Sequence, residues 1–130
     1  MLGRKASGGL TYTPPLDANN AKAAYGIRLL RTAYTGDCLR IERASDSPQL
    51  DIGFQSDGYL DVGAINTFAS GTTAKVVTWY DQTGNGLDVD DSAGTLNGAE
   101  IYNSGVITEN GLAALEFNGG TDRLFRTAGS

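Results

Sequence analysis

Histidine is absent from this 130-residue chain, cysteine occurs once and proline only 3 times. Without imidazole, His-dependent triads, His proton shuttles and the common zinc sites are excluded. The lone Cys38 cannot form an intrachain disulfide, which fits assembly in a reducing compartment. Positive charge is scarce: 10 Lys and Arg face 15 Asp and Glu, for a net charge of −5. A phosphate-binding surface needs clustered basic residues, so nucleic acid is not an expected partner. Charges or glycines interrupt every apolar run, so no membrane span is expected. The opening "MLGRKASGG" lacks the apolar stretch of a secretory signal. P-loop, GxGxxG and nucleophile motifs are missing too. No cofactor and no metal are implied.

What is present points to a β-rich domain. Apolar residues make up 40% of the chain, enough for a core, and 18 glycines imply many tight turns. Residues 1–16, with "GRKASGG" and "TYTPP", read as a flexible N-terminal arm. Residues 17–130 read as a single β-rich domain, which can be the N-terminal part of a longer protein. Ala23, Ile27, Leu30 and Tyr34 fall on one helical face, so the spacing predicts a helix over 18–35. A second helix is expected over 61–70, capped by Asp61. "CLRIER" and "LDIGF" alternate with period two and predict half-buried strands. "AKVVTWY" suits a central strand, and Asn110-Gly111 between apolar segments predicts a type I′ hairpin. The fold class that follows is α+β and β-rich, a partial antiparallel β-sandwich with one or two covering helices. Leu39, Ile41, Ile52, Phe54, Val77 and Trp79 are its expected core.

The stretch "VVTWYDQTGNG" places aromatics, an acid and amides side by side. Asp81, Thr83, Asn85 and Gly86 match the first half of a calcium loop, but the position that needs a bidentate Glu is Ser92. Trp79, Tyr80, Asp81, Gln82 and Asn85 have the residue types of a carbohydrate site: rings that stack on a sugar, and polar groups that bind its hydroxyls. On a strand, however, Trp79 and Tyr80 point to opposite faces. The alternative is a buried aromatic and a polar strand end that ties a tight loop to the backbone. Glycosidase chemistry needs two carboxyls facing one bond. Asp46, Asp51, Asp57, Asp61, Asp81, Glu100, Glu109 and Glu116 are available, and no spacing selects a pair. No catalytic residue is assigned.

Three segments together carry a more specific signal: "AAYGIRLLRTAYTGDCLRIERASDSPQLDIGF", "VVTWYDQTGNG" and "GVITENGLAALEFNGGTDRL". From about Ala23 to Leu124 they resemble the N-terminal part of family-54 α-L-arabinofuranosidase catalytic domains. They also resemble tailed-phage virion proteins of the tail-fibre and lectin-like kinds. "LEFNGGTDRL" resembles the opening strand of concanavalin-A-like and laminin-G-like sandwiches. In the enzyme family the resemblance implies catalytic acids downstream of the matched part, so no position here inherits such a role. The fungal enzymes are secreted and disulfide-bonded, which this chain does not match. On that basis the leading expectation is a non-enzymatic bacteriophage structural protein, a fibre-anchoring or decoration module of the virion assembled in host cytoplasm. Its expected partners are other virion proteins, copies of itself and a host glycan. The alternatives are a carbohydrate-binding, receptor-recognition module and a fragment of an arabinofuranosidase-like glycoside hydrolase.

Overall fold

The structure is a computed structural model that describes residues 9–91, 98–122 and 124. Its centre is an antiparallel sheet. Strand β1 (Leu39–Arg43) pairs with β2 (Gln49–Ile52) and with β3 (Thr73–Trp79). The opposite edge of β3 is shared. Its C-terminal end pairs with β4 (Val89–Asp90) and its N-terminal end with β5 (Glu100–Asn103). The apolar "AKVVTW" run is thus an inner strand with neighbours on both sides, as its composition predicts, and β1 is the other.

Alternation sets the faces. Leu39 and Ile41 of β1, Ile52 of β2, and Ala74 and Val76 of β3 are fully buried in one cluster. The intervening Arg40 of β1 and Asp51 of β2 pair on the other face, with Arg40 Nε donating to Asp51 Oδ1 at 2.9 Å. Within β3 two consecutive residues, Val76 and Val77, are buried. The cause is an irregularity in register: Arg40 faces Thr78 while Ile41 faces Val76, so Val77 is the extra residue of a bulge. Val77 is buried outside the main cluster. Phe54 and Trp79 are half-buried and pack against it. Of the six expected core residues, Leu39, Ile41 and Ile52 lie at its heart.

Helix α1 (Val62–Ala69) lays Ile65 and Ala69 on the buried face of the sheet. Asp61 caps it, accepting the Ala64 N–H at 3.2 Å, as the sequence predicts. The short strands β6 (Thr108–Glu109) and β7 (Leu112–Ala113) form the predicted hairpin. Asn110 and Gly111 both take positive φ, 54° and 81°, which is the type I′ turn.

The helix expected over 18–35 does not form. One 3-10 turn, Pro15–Asp17, precedes an irregular path with an isolated bridge from Arg28 to Tyr59. Apart from a turn bond from the Tyr34 N–H to the Arg31 carbonyl, its recorded backbone bonds go to distant residues such as Leu16, Gly58 and Gln82, and Gly26 weakens the helical alternative. Residues 9–16 lie against this path: Tyr12 Oη donates to the Leu29 carbonyl at 2.8 Å, and its ring meets Tyr59 edge-on. Residues 1–8 of the expected arm lie outside the described residues. The architecture is therefore β-rich, with antiparallel sheets and one α-helix, consistent with a β-sandwich.

Candidate functional site

Where β3 ends, the chain turns through Tyr80, Asp81, Gln82 and Thr83, and the last three are buried. Their polar atoms are turned towards the irregular 22–31 segment. Gln82 is wholly buried, and each end of its amide is used. Its Oε1 accepts the Leu30 N–H at 2.8 Å, while Nε2 donates to the Arg28 and Gly26 carbonyls at 3.0 and 3.3 Å. Its backbone N–H donates to the Ala24 carbonyl at 2.9 Å. Trp79 Nε1 and Cys38 Sγ also donate to Gly26, at 3.2 and 3.1 Å. Asn85 Nδ2 donates to the Lys22 carbonyl at 2.9 Å, and Arg31 reaches back to the Thr83 carbonyl at 2.8 Å. The segment thus has many of its backbone groups bonded to side chains, and others to the distant backbone of Leu16, Gly58 and Gln82, rather than within a helix.

Asp81 has a matching role. It accepts the N–H groups of Ala24 and Thr83, each at 3.0 Å, that of Leu87 at 3.1 Å, and the Thr83 hydroxyl. Burial alone would raise its pKa, but these donors outweigh it and hold the carboxyl below the usual range. Both carboxylate oxygens of Asp81, the first that a calcium loop would offer a cation, are taken up by these donors. Gly84 and Gly86 take φ of 89° and 72°, which lets the turn close around Asp81. Burial pushes the Cys38 thiol up, so it stays protonated and packs as an apolar group.

Tyr80 departs on the opposite face from Trp79. Its hydroxyl donates to Asp51 Oδ1 at 2.6 Å, beside the bidentate Arg40 contact. Burial, then the Asp51 carboxylate, raises the Tyr80 pKa. Trp79, Asp81, Gln82 and Asn85 are therefore brought together around segment 22–31, while Tyr80 joins a separate polar cluster.

The remaining acids separate by what they hold. Asp46 pairs with Arg43 at 2.8 Å, and Asp61 caps α1. Glu100 and Glu116 face each other across an isolated bridge, near the Lys75–Asp122 ion pair. Asp57 and Glu109 line one cavity of about 680 Å³. Ile27 and Arg28 of the clamped segment, Tyr59, Leu60 and the β6–β7 hairpin complete its walls. Nothing in sequence spacing links Asp57 to Glu109. They share the cavity because the 55–60 turn, bridged to segment 22–31 at Arg28–Tyr59, and the hairpin both border it.

A family model described as "Alpha-L-arabinofuranosidase B, catalytic" matches residues 16–122, which include the sheet, the clamp and both acids of the cavity. The chain belongs to this family. An Emericella nidulans α-L-arabinofuranosidase B is 32% identical over 104 residues, covering 74% of the chain and 20% of that protein. A probable arabinofuranosidase B from Aspergillus fumigatus is 33% identical over 92 residues, 65% of the chain and 18% of its own length. Among solved structures, a family-54 arabinofuranosidase soaked with a cyclic sulfate inhibitor superposes with a TM-score of 0.50 at 31% identity, covering 53% of the chain and 15% of its own. An arabinofuranosidase complexed with arabinofuranosyl-α-1,2-xylobiose gives 0.52 at 26% identity, over 67% and 18%. The chain thus spans about one fifth of the curated arabinofuranosidases it matches.

Membership of the arabinofuranosidase family overturns the expectation of a non-enzymatic bacteriophage structural protein, and with it the fibre-anchoring and decoration roles and the virion location. That expectation weighed the missing secretory signal, the single cysteine and the catalytic acids expected downstream of the matched part as evidence against an enzyme. A segment covering a fifth of an enzyme need not carry those acids to be part of its catalytic domain.

Proposed function

We propose that this chain is part of an arabinofuranosidase-type glycoside hydrolase that removes α-L-arabinofuranosyl groups. The observation that carries the reading is the family match over residues 16–122, which spans the sheet and its clamped loop together. Of its relatives, one was soaked with 4-nitrophenyl α-L-arabinofuranoside and another was complexed with an arabinofuranosyl xylobiose. Hydrolysis of such a bond requires an acid and a second carboxylate on either side of it. In this reading the sheet is a scaffold. Trp79, Asp81, Gln82 and Asn85 act on sugar binding indirectly, by fixing the segment that carries Ile27 and Arg28. The same reading includes a concanavalin-A-like, laminin-G-like sandwich relationship, supported by the antiparallel sheet and the hairpin that leads into "LEFNGGTDRL".

The test is release of 4-nitrophenol from 4-nitrophenyl α-L-arabinofuranoside by the protein that carries this sequence. Turnover above the uncatalysed rate is expected. A folded protein with no activity on any arabinofuranoside overturns the proposal.

A further inference from the structure

The cavity between the clamped segment and the β6–β7 hairpin has a mixed lining. Ile27, Leu60, Val62 and Leu112 supply apolar surface, and Leu112 is 54% exposed. Arg28, Asp57 and Glu109 supply charge around that surface. The volume of about 680 Å³ lies within the ordinary range for small-molecule sites.

These polar groups have bonding capacity to spare. The Arg28 guanidinium lies over the Tyr12 ring, 4.3 Å from its centre, and it makes no ion pair among the described residues. Asp57 uses Oδ1 to accept the Tyr59 N–H at 3.0 Å, and the same backbone contact orients the carboxylate. The Glu109 side chain sits at the hairpin end, opposite Leu112 in register.

The charge pattern selects a ligand class. An anion would meet two carboxylates, and a cation would meet Arg28. A neutral polyol both donates and accepts, so it can use a guanidinium and two carboxylates at once. Its CH face can then cover the apolar wall. We propose that this cavity is a saccharide subsite, in which Arg28, Asp57 and Glu109 bind the hydroxyls of a neutral pentose unit. The choice of a pentose rests on the arabinofuranosidase reading; the polyol class rests on the lining alone.

Amide NMR titration of the protein with methyl β-D-xylopyranoside and methyl α-L-arabinofuranoside tests this. Shifts centred on Arg28, Tyr59, Glu109 and Leu112 with at least one of the two are expected. Arg28→Ala and Glu109→Gln should each weaken that binding about tenfold, the effect of losing one charged hydrogen bond. Glu109→Gln alters an exposed hairpin residue, so its fold should persist, as judged by unchanged amide dispersion. Silent amides around the cavity with both sugars, or unaltered affinity in both folded variants, overturn the proposal. The readout is binding, so it is separable from turnover: an active hydrolase with a silent cavity rejects the subsite alone, and a binding cavity without hydrolysis rejects only the enzymatic reading.

Discussion

Asp81 illustrates how one carboxylate can tie several backbone donors together. Its depressed pKa means that the folded state prefers the ionised form more strongly than the unfolded chain does. Such a group contributes stability above its unfolded pKa, about 3.9, and loses it as pH falls through the lower folded value. Asp81→Asn should cost about 1–3 kcal/mol at neutral pH, because donors from Ala24, Thr83 and Leu87 lose a charged acceptor. Below about pH 4 the gap between the two proteins should close progressively, because protonation removes the same charge. Thermal melts of both proteins between pH 7 and pH 2.5 check this. Asp46 and Asp51 are also held low, first of all by Arg43 and Arg40, but both proteins keep them, so they cancel in the comparison. A constant gap at every pH would show that Asp81 acts through shape alone.

At the scale of elements, the most exacting contact is between backbones. A Cβ built on Gly98 would lie 1.6 Å from the Val76 carbonyl oxygen, beside the 2.8 Å bond from the Val76 N–H to the Ala99 carbonyl. No flexible side chain is there to yield. Gly98→Ala should therefore destabilise the protein by about 3 kcal/mol or more and expose the Val76 amide to hydrogen exchange. A urea midpoint close to that of the parent protein would contradict it. Nothing in the sequence distinguishes Gly98 from the other glycines, because its constraint comes from a strand far away in the chain. Features with local causes were legible. The Asn110-Gly111 turn needs positive φ at two adjacent positions, and Asp61 caps the helix it precedes. The β1 alternation reports one buried face, whereas in β2 only Ile52 is buried and Leu50, expected on the same face, stays exposed at the sheet edge. The 18–35 segment misled because Ala23, Ile27, Leu30 and Tyr34 carry helical spacing, while the donors and acceptors that shape it sit at residues 79–85. The polar strand end was correctly readable as a tie for a loop; which loop was not. The pairing of Asp57 with Glu109 in one cavity was equally hidden, since it depends on two packed elements with no common sequence signal.

The whole molecule is assembled from contacts made late in the chain with partners placed early. Strand β3 must find β1 across an intervening strand and helix, and only then can its far edge receive β4 and β5. Such non-local pairing makes folding slow, because loop closure precedes the gain from pairing. Refolding followed by Trp79 fluorescence in a stopped-flow instrument should take milliseconds to seconds. Completion within microseconds would mean that local structure dominates instead.

The clamp also separates two kinds of information. Gln82, Asp81, Trp79 and Asn85 grip carbonyl and amide groups of residues 22–30, which every amino acid except proline offers alike. The path of that stretch is written in one part of the chain, and its chemistry in another. Outward-facing positions such as Lys22 and Arg28 can therefore be rewritten while the route they follow is kept. A surface of this kind can diversify what it contacts by substitution alone, with the frame beneath it left untouched.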